Sequence, residues 1–224
     1  SLPSEVQTHS YLFLDEITHQ AALPDGYPSN WGQDNEVPGR NVVADYEMDP
    51  RVDKNTIPGY SVTDALLDLP SLSVTLPIDD LFGSRRGIYS HPRDRGNGWE
   101  RNCSIEWIDP QGGEGFQVNS QIEIHGNSSR RPWRMQKHSF RLTFLSSLGT
   151  DRLRFPLFKD SPVERFNKLI LRACFTDSWG LVSWGSSRYR PNDSQYIRDV
   201  WMKESLGDMG QPSSHGNFVH LYVN

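Results

Sequence analysis

The chain has 224 residues, a net charge of −5, 35% hydrophobic and 11% aromatic residues, 18 Gly and 15 Pro. At roughly 100–200 residues per domain this lies between one and two domains, with enough apolar content for a core and enough Gly and Pro for many loops. No apolar run approaches the ~18 residues of a membrane-spanning helix. Cys103 and Cys174, and the histidines His9, His19, His91, His125, His138, His215 and His220, show no metal-ligand spacing; two thiols or one disulfide both stay open.

In chain order, residues 5–22 fit either a short helix or a strand docking at an edge. Residues 23–60 are acidic and rich in Pro, Gly and Asn, which predicts an irregular wrap anchored by Tyr27, Trp31, Tyr46 and Met48. SVTDALLD predicts a helix over 61–68, with Ser61 as cap and Asp64 closing a capping box. Leu72, Val74 and Leu76 alternate with polar residues as a first core strand. Cys103, Ile105 and Trp107 mark a second, and the Asp109–Gly113 loop turns it back antiparallel into Phe116–Ile124. Phe140, Leu142 and Phe144 alternate with Ser139, Arg141 and Thr143, and 169–171 and 218–223 read as further strands. One long helix is predicted from a cap at Asp193, with Tyr196, Ile197, Val200, Trp201, Ser205 and Met209 as its packing stripe. The expected fold class is α+β: an antiparallel-rich, loop-rich sheet with one main helix packed on it.

Charge is unevenly spread. Residues 1–80 hold 3 Lys/Arg against 14 Asp/Glu, and residues 121–172 hold 11 against 4. Both an acidic arm on a basic face and an anion site follow from this. Nucleic acid is not expected, because the basic residues alternate with strand apolars instead of forming a stripe with stacking aromatics. The densest anion-suited segment is GFQVNSQIEIHGNSSRRPWRMQKHSFRLTF, Gly115 to Phe144. Between its two amphipathic strands a loop gathers Gly126, Ser128, Ser129, Arg130, Arg131 and Arg134 and closes on Lys137, offering backbone donors, hydroxyls and guanidinium forks suited to a phosphate or carboxylate.

This segment, together with LPSLSVTLPIDDLFGSRRGIYSHP (Leu69 to Pro92), GNGWERNCSIEW (Gly96 to Trp107), LRFPLF (Leu153 to Phe158), LILRACFTDSW (Leu169 to Trp179), YIRDVW (Tyr196 to Trp201) and MGQPSSHGNFVHLYVN (Met209 to Asn224), resembles the first half of a CotH-type domain. That is the atypical protein-kinase family named after a bacterial spore coat protein. The resemblance implies an irregular acidic arm over 1–69 and the N-terminal part of a kinase-like domain over 70–224, in a bacterial surface or secreted protein. It implies phosphoryl transfer from ATP, with Mg2+, to protein Ser/Thr hydroxyls, the catalytic and metal aspartates lying beyond Asn224 in the remaining half of the domain.

By the same likeness Gly126, Ser128, Ser129 and Arg130 correspond to the phosphate loop and Lys137 to the lysine opening the next strand, with Arg130 or Arg141 as an oxygen-binding fork. Arg198 and Asp199 lie on the helix behind the site, where Asp199 is placed to hold Lys137 or another loop cation. No residue of this chain is assigned to a metal. Rival readings are a non-catalytic adhesion or assembly module and a carbohydrate-binding module using Trp179, Trp184 and the basic face. The Gly180–Arg190 stretch departs from the simplest family pattern, and Asp177 is a loop acid suited to capping a turn.

Overall fold

The computed structural model describes residues 7–33, 38–49, 52, 58–159, 161–180 and 191–224. Its centre is a curled sheet of six strands: β3 (Ser71–Thr75), β4 (Arg101–Ile108), β5 (Phe116–His125), β6 (Ser139–Thr143), β9 (Lys168–Leu171) and β10 (His220–Val223), in the order β10-β3-β4-β5-β6-β9. Two small ribbons flank it, β1 (Asn30–Gln33) with β2 (Asn41–Val43) and β7 (Leu153–Arg154) with β8 (Arg165–Phe166). The fold is thus mixed α/β, antiparallel-rich, with few helices.

Strict alternation sets the register. Cys103, Ile105 and Trp107 of β4 stand opposite Ser120, Val118 and Phe116 of β5, while Ile122 and Ile124 stand opposite Leu142 and Phe140 of β6. These side chains share one face, because a strand repeats every two residues. Ser120, a polar interruption in the sequence pattern, is fully buried on that face and lies 3.2 Å from the Cys103 thiol. The apolar face is covered by Leu81 and Phe82 of α3 (Ile78–Phe82) and by Ile88, Tyr89, Leu153, Phe155, Leu157 and Phe158.

The opposite face is polar. On β3 and β4 the N-terminal segment covers it, with Ser10 donating from its backbone to Glu106 at 2.6 Å and from its hydroxyl to Ser73 at 2.7 Å. Beyond this stretch the chain forms α1 (Leu14–Thr18), so the short-helix reading is met in part, and residues 7–13 lie on the polar face of β3 and β4 instead of pairing as an edge strand. The expected capping box is present: Ser61 and Asp64 exchange bonds at the start of α2 (Val62–Asp68). The expected aromatic anchors also meet, Tyr27, Trp31 and Tyr46 packing edge-on against one another and against Phe82 and Tyr89.

One expectation is met and one corrected. The strand at 218–223 joins the sheet as β10 by parallel pairing with β3, His220 opposite Ser71 and Val223 opposite Val74. Asn224 then acts as a side-chain rung, its amide both accepting from Leu76 N–H at 2.9 Å and donating to Leu76 C=O at 2.8 Å. The main helix is also displaced. Pro191–Asp193 is an isolated 3-10 turn and Tyr196 sits at φ +62°, so the helix, α4, begins only at Arg198 and runs to Asp208.

The α4 stripe is not buried on the sheet: Trp201 is 62% exposed and Met209 74%. The sheet's apolar face is already filled by other segments, and its other face is mainly polar among the described residues. Other contacts hold α4, with Ser213 Oγ donating to Lys203 C=O at 2.6 Å and the Val200 side chain close against Gly216.

Leu142 lies fully buried at the sheet centre. Leu142→Ala is expected to cost about 3–5 kcal/mol through lost burial plus a residual cavity, read as a lower urea midpoint at unchanged m-value.

Candidate functional site

The connection from β5 to β6 turns at Gly126, whose φ is +115° and where any Cβ would overlap Ser129 Oγ. Only glycine meets both conditions. Ser128–Arg130 then form one 3-10 turn. The Ser128 and Ser129 hydroxyls have no protein partner among the described residues.

Arg130 does not reach outward. Its side chain is buried and its guanidinium donates to backbone carbonyls of Gly126 (2.8 Å), Pro92 (3.0 Å), Asp94 (3.0 Å) and Ile124. An arginine so engaged is a staple between the loop and the 92–94 turn, which corrects the expectation of an oxygen-binding fork. Arg101 does the same work nearby, donating to the carbonyls of Gly98, Glu100 and Arg86.

Beneath the loop, His138 Nδ1 donates to Ser129 C=O at 2.9 Å, and the His138 N–H reaches Tyr89 Oη, which itself donates to Gln136 C=O at 2.9 Å. Burial pulls the His138 pKa down to about 4, so the ring is neutral. Two residues before β6, Lys137 is exposed. Its ammonium has no hydrogen-bond or ion-pair partner among the described residues. It stands near enough to Cys174 to favour that thiol's anion, although burial, the larger effect, raises the thiol pKa.

The other charges around Lys137 are paired with one another. Arg141 stands across the ladder from Glu123, Nε to Oε1 2.9 Å. Asp199 holds Arg172 at 3.0 Å and Lys203, one turn on, at 2.7 Å, so its cations are not Lys137. Arg198 and Asp199, adjacent in sequence, pair elsewhere. Arg198 binds Asp177 at 3.1 Å, and Asp177 also accepts the backbone N–H groups of Gln195 and Arg198. The loop acid therefore pins the start of α4 from 21 positions away.

Sequence reasoning missed Arg172 and Glu123. The signal for Arg172 is the alternation Lys168, Ile170, Arg172, which continues the polar face past the end of β9. Cys103 and Cys174 are free, and burial pushes the Cys103 thiol up to about 11, so it is inert. Trp179 is exposed, with Nε1 donating to Ser194 C=O and its ring edge-on to Tyr196; Trp184 lies outside the described residues. Among the described residues no three His, Cys, Asp or Glu side chains are grouped to hold a metal ion, and no helix is long and apolar enough to cross a membrane. Comparison with family models, curated proteins and solved structures finds no match.

Neutral His138 gives a pH signature. An unfolded histidine takes its proton near pH 6.5, so the contribution of the buried ring is whole above that value. It declines as pH falls toward the folded value of about 4, by up to roughly 3 kcal/mol. Urea unfolding across this window is expected to show a shallower pH dependence for His138→Gln than for the wild type; parallel curves would contradict it. Asp177→Ala is expected to cost about 2–3 kcal/mol by stripping a charged acceptor from two backbone donors and Arg198. It should also speed amide exchange over 195–201 with the sheet unaffected.

Proposed function

We propose that the chain is the nucleotide-side lobe of a CotH-like atypical protein kinase, at the bacterial cell surface or secreted, transferring the ATP γ-phosphoryl group to protein Ser/Thr hydroxyls. The observation that carries this reading is Lys137: among neighbouring charges that satisfy one another, its exposed ammonium alone in the cluster of Glu123, Arg141, Arg172, Asp177, Arg198, Asp199 and Lys203 has no partner among the described residues. It follows a glycine turn whose two serine hydroxyls are unengaged among the described residues, a donor set that fits phosphate oxygens.

Bound ATP supplies the phosphoryl group. Lys137 meets its oxygens as a compact point charge, Ser128 and Ser129 add neutral donors, and Arg130 keeps the loop in shape from below. Arg198 fixes α4 through Asp177, and Asp199 orders Arg172 just past the end of β9. The described residues do not fit a Mg2+ ligand set, so no step is derived through the ion. This reading assigns the metal ligands and the catalytic base to the other half of the domain, which would cover the exposed α4 stripe of Ile197, Trp201, Met202, Leu206 and Met209. That same stripe favours the rival, a non-catalytic adhesion or assembly module.

In the full-length protein, Lys137→Ala is expected to lower labelled-phosphate incorporation from ATP into a hydroxyl-rich peptide at least about tenfold, with unchanged circular dichroism. Lys137→Arg should restore it in part, since a planar fork replaces the point charge poorly. Equal incorporation by wild type and Lys137→Ala removes Lys137 from the site; none by either favours the non-catalytic module.

A further inference from the structure

A second feature lies on the ribbon side of the 126–138 loop and is independent of phosphoryl transfer. Arg40, Asn41, Val42 and Val43 of the β2 strip face Pro132, Trp133 and Gln136 across an open cleft of ≈ 120 Å³. That is well below the ~300 Å³ at which small-molecule pockets begin. It suits one side chain of something that passes across it.

Both walls are fixed. Met135, fully buried, and the bonds from Arg134 N–H and Met135 N–H to Arg131 C=O hold the turn that presents Trp133. On the other wall Val42 is buried while Val43 is 70% exposed. Ala44 N–H donates to Ser29 C=O, and Val43 opposes Asn30 one step along. Because bonded and non-bonded pairs alternate in an antiparallel ladder, Val43 directs its own N–H and C=O away from β1. No strand lies on that side among the described residues.

Among the described residues, the charged groups against Trp133 have one sign. The guanidinium carbons of Arg93 and Arg131 lie 5.6 and 5.7 Å from the Trp133 ring centroid. Neither guanidinium has a carboxylate or carbonyl partner among the described residues. The indole thus holds two guanidinium groups at one place, a pair of forks suited to carboxylates.

We propose that this cleft docks an extended acidic peptide of another protein, which adds to β2 as a third strand, seats one apolar side chain against Trp133 and Pro132, and sets its carboxylates on Arg93 and Arg131. Strand addition supplies backbone bonds, the cleft selects one side chain, and the two arginines select the charge.

The test is fluorescence anisotropy with a labelled short peptide of alternating glutamate and valine, and its lysine–valine counterpart. The acidic peptide is expected to bind, weakening with salt, and the lysine peptide not to bind. Arg93→Glu with Arg131→Glu should weaken binding at least tenfold, and Val43→Pro several-fold, at unchanged circular dichroism. Should Val43→Pro disturb the fold, the same peptide N-methylated at alternate residues reads the strand edge from the ligand's side and is expected to bind several-fold more weakly. Undiminished binding by the arginine double variant, or by the N-methylated peptide, would overturn the proposal. So would displacement by inorganic phosphate or a single-stranded oligonucleotide as effective as by unlabelled acidic peptide, which would make the cleft a general anion site.

Discussion

A guanidinium taken out of water is expensive unless its donors are met, and Arg130 meets them with four backbone carbonyls from two separate parts of the chain. That requirement organises the 92–94 turn, the end of β5 and the glycine turn at once, since removing any of the carbonyls leaves a buried donor idle. The course of the 126–138 loop follows from it. His138 is enclosed under the loop and kept neutral by burial, with Arg130 adding to that shift, and Lys137 is presented outward by the residue next to it.

The polar face thereby acquires a division of labour. Its carboxylates are each committed: Glu123 to Arg141, Asp199 to Arg172 and Lys203, Asp177 to α4. These partly exposed pairs add little stability individually. Their effect is positional, because each fixes a long side chain that would otherwise sample many rotamers. The two arginines beside Trp133 reach a similar end by stacking instead of ion pairing.

How much of this was legible depended on whether the deciding interaction was local. The β4–β5 hairpin and the Ser61–Asp64 capping box could be read directly, since alternation and a three-residue spacing carry their own geometry. The Arg130 staple could not, because an arginine in a polar loop looks like a solvated charge until the carbonyls of Pro92 and Asp94 arrive from elsewhere. Nor could the exposure of α4: an apolar stripe states which side of a helix seeks company, not whether the company is present. Tyr196 in a left-handed conformation gives no signal of its own, and it is where the predicted helix loses its first turns.

The pairing of β10 with β3 has a consequence in time. Leu76 and Asn224, which close that ladder, are 148 positions apart in the chain. A contact of that span must wait for the intervening strands to gather, as the entropy of closing the loop is met before any of its bonds form. While the antiparallel meander of β4, β5 and β6 can assemble from neighbours, one edge of β3 stands with its backbone groups unpaired until residues 220–224 return. The newly made chain therefore carries a sticky border, and the speed with which Asn224 reaches Leu76 decides how long neighbouring molecules can find it.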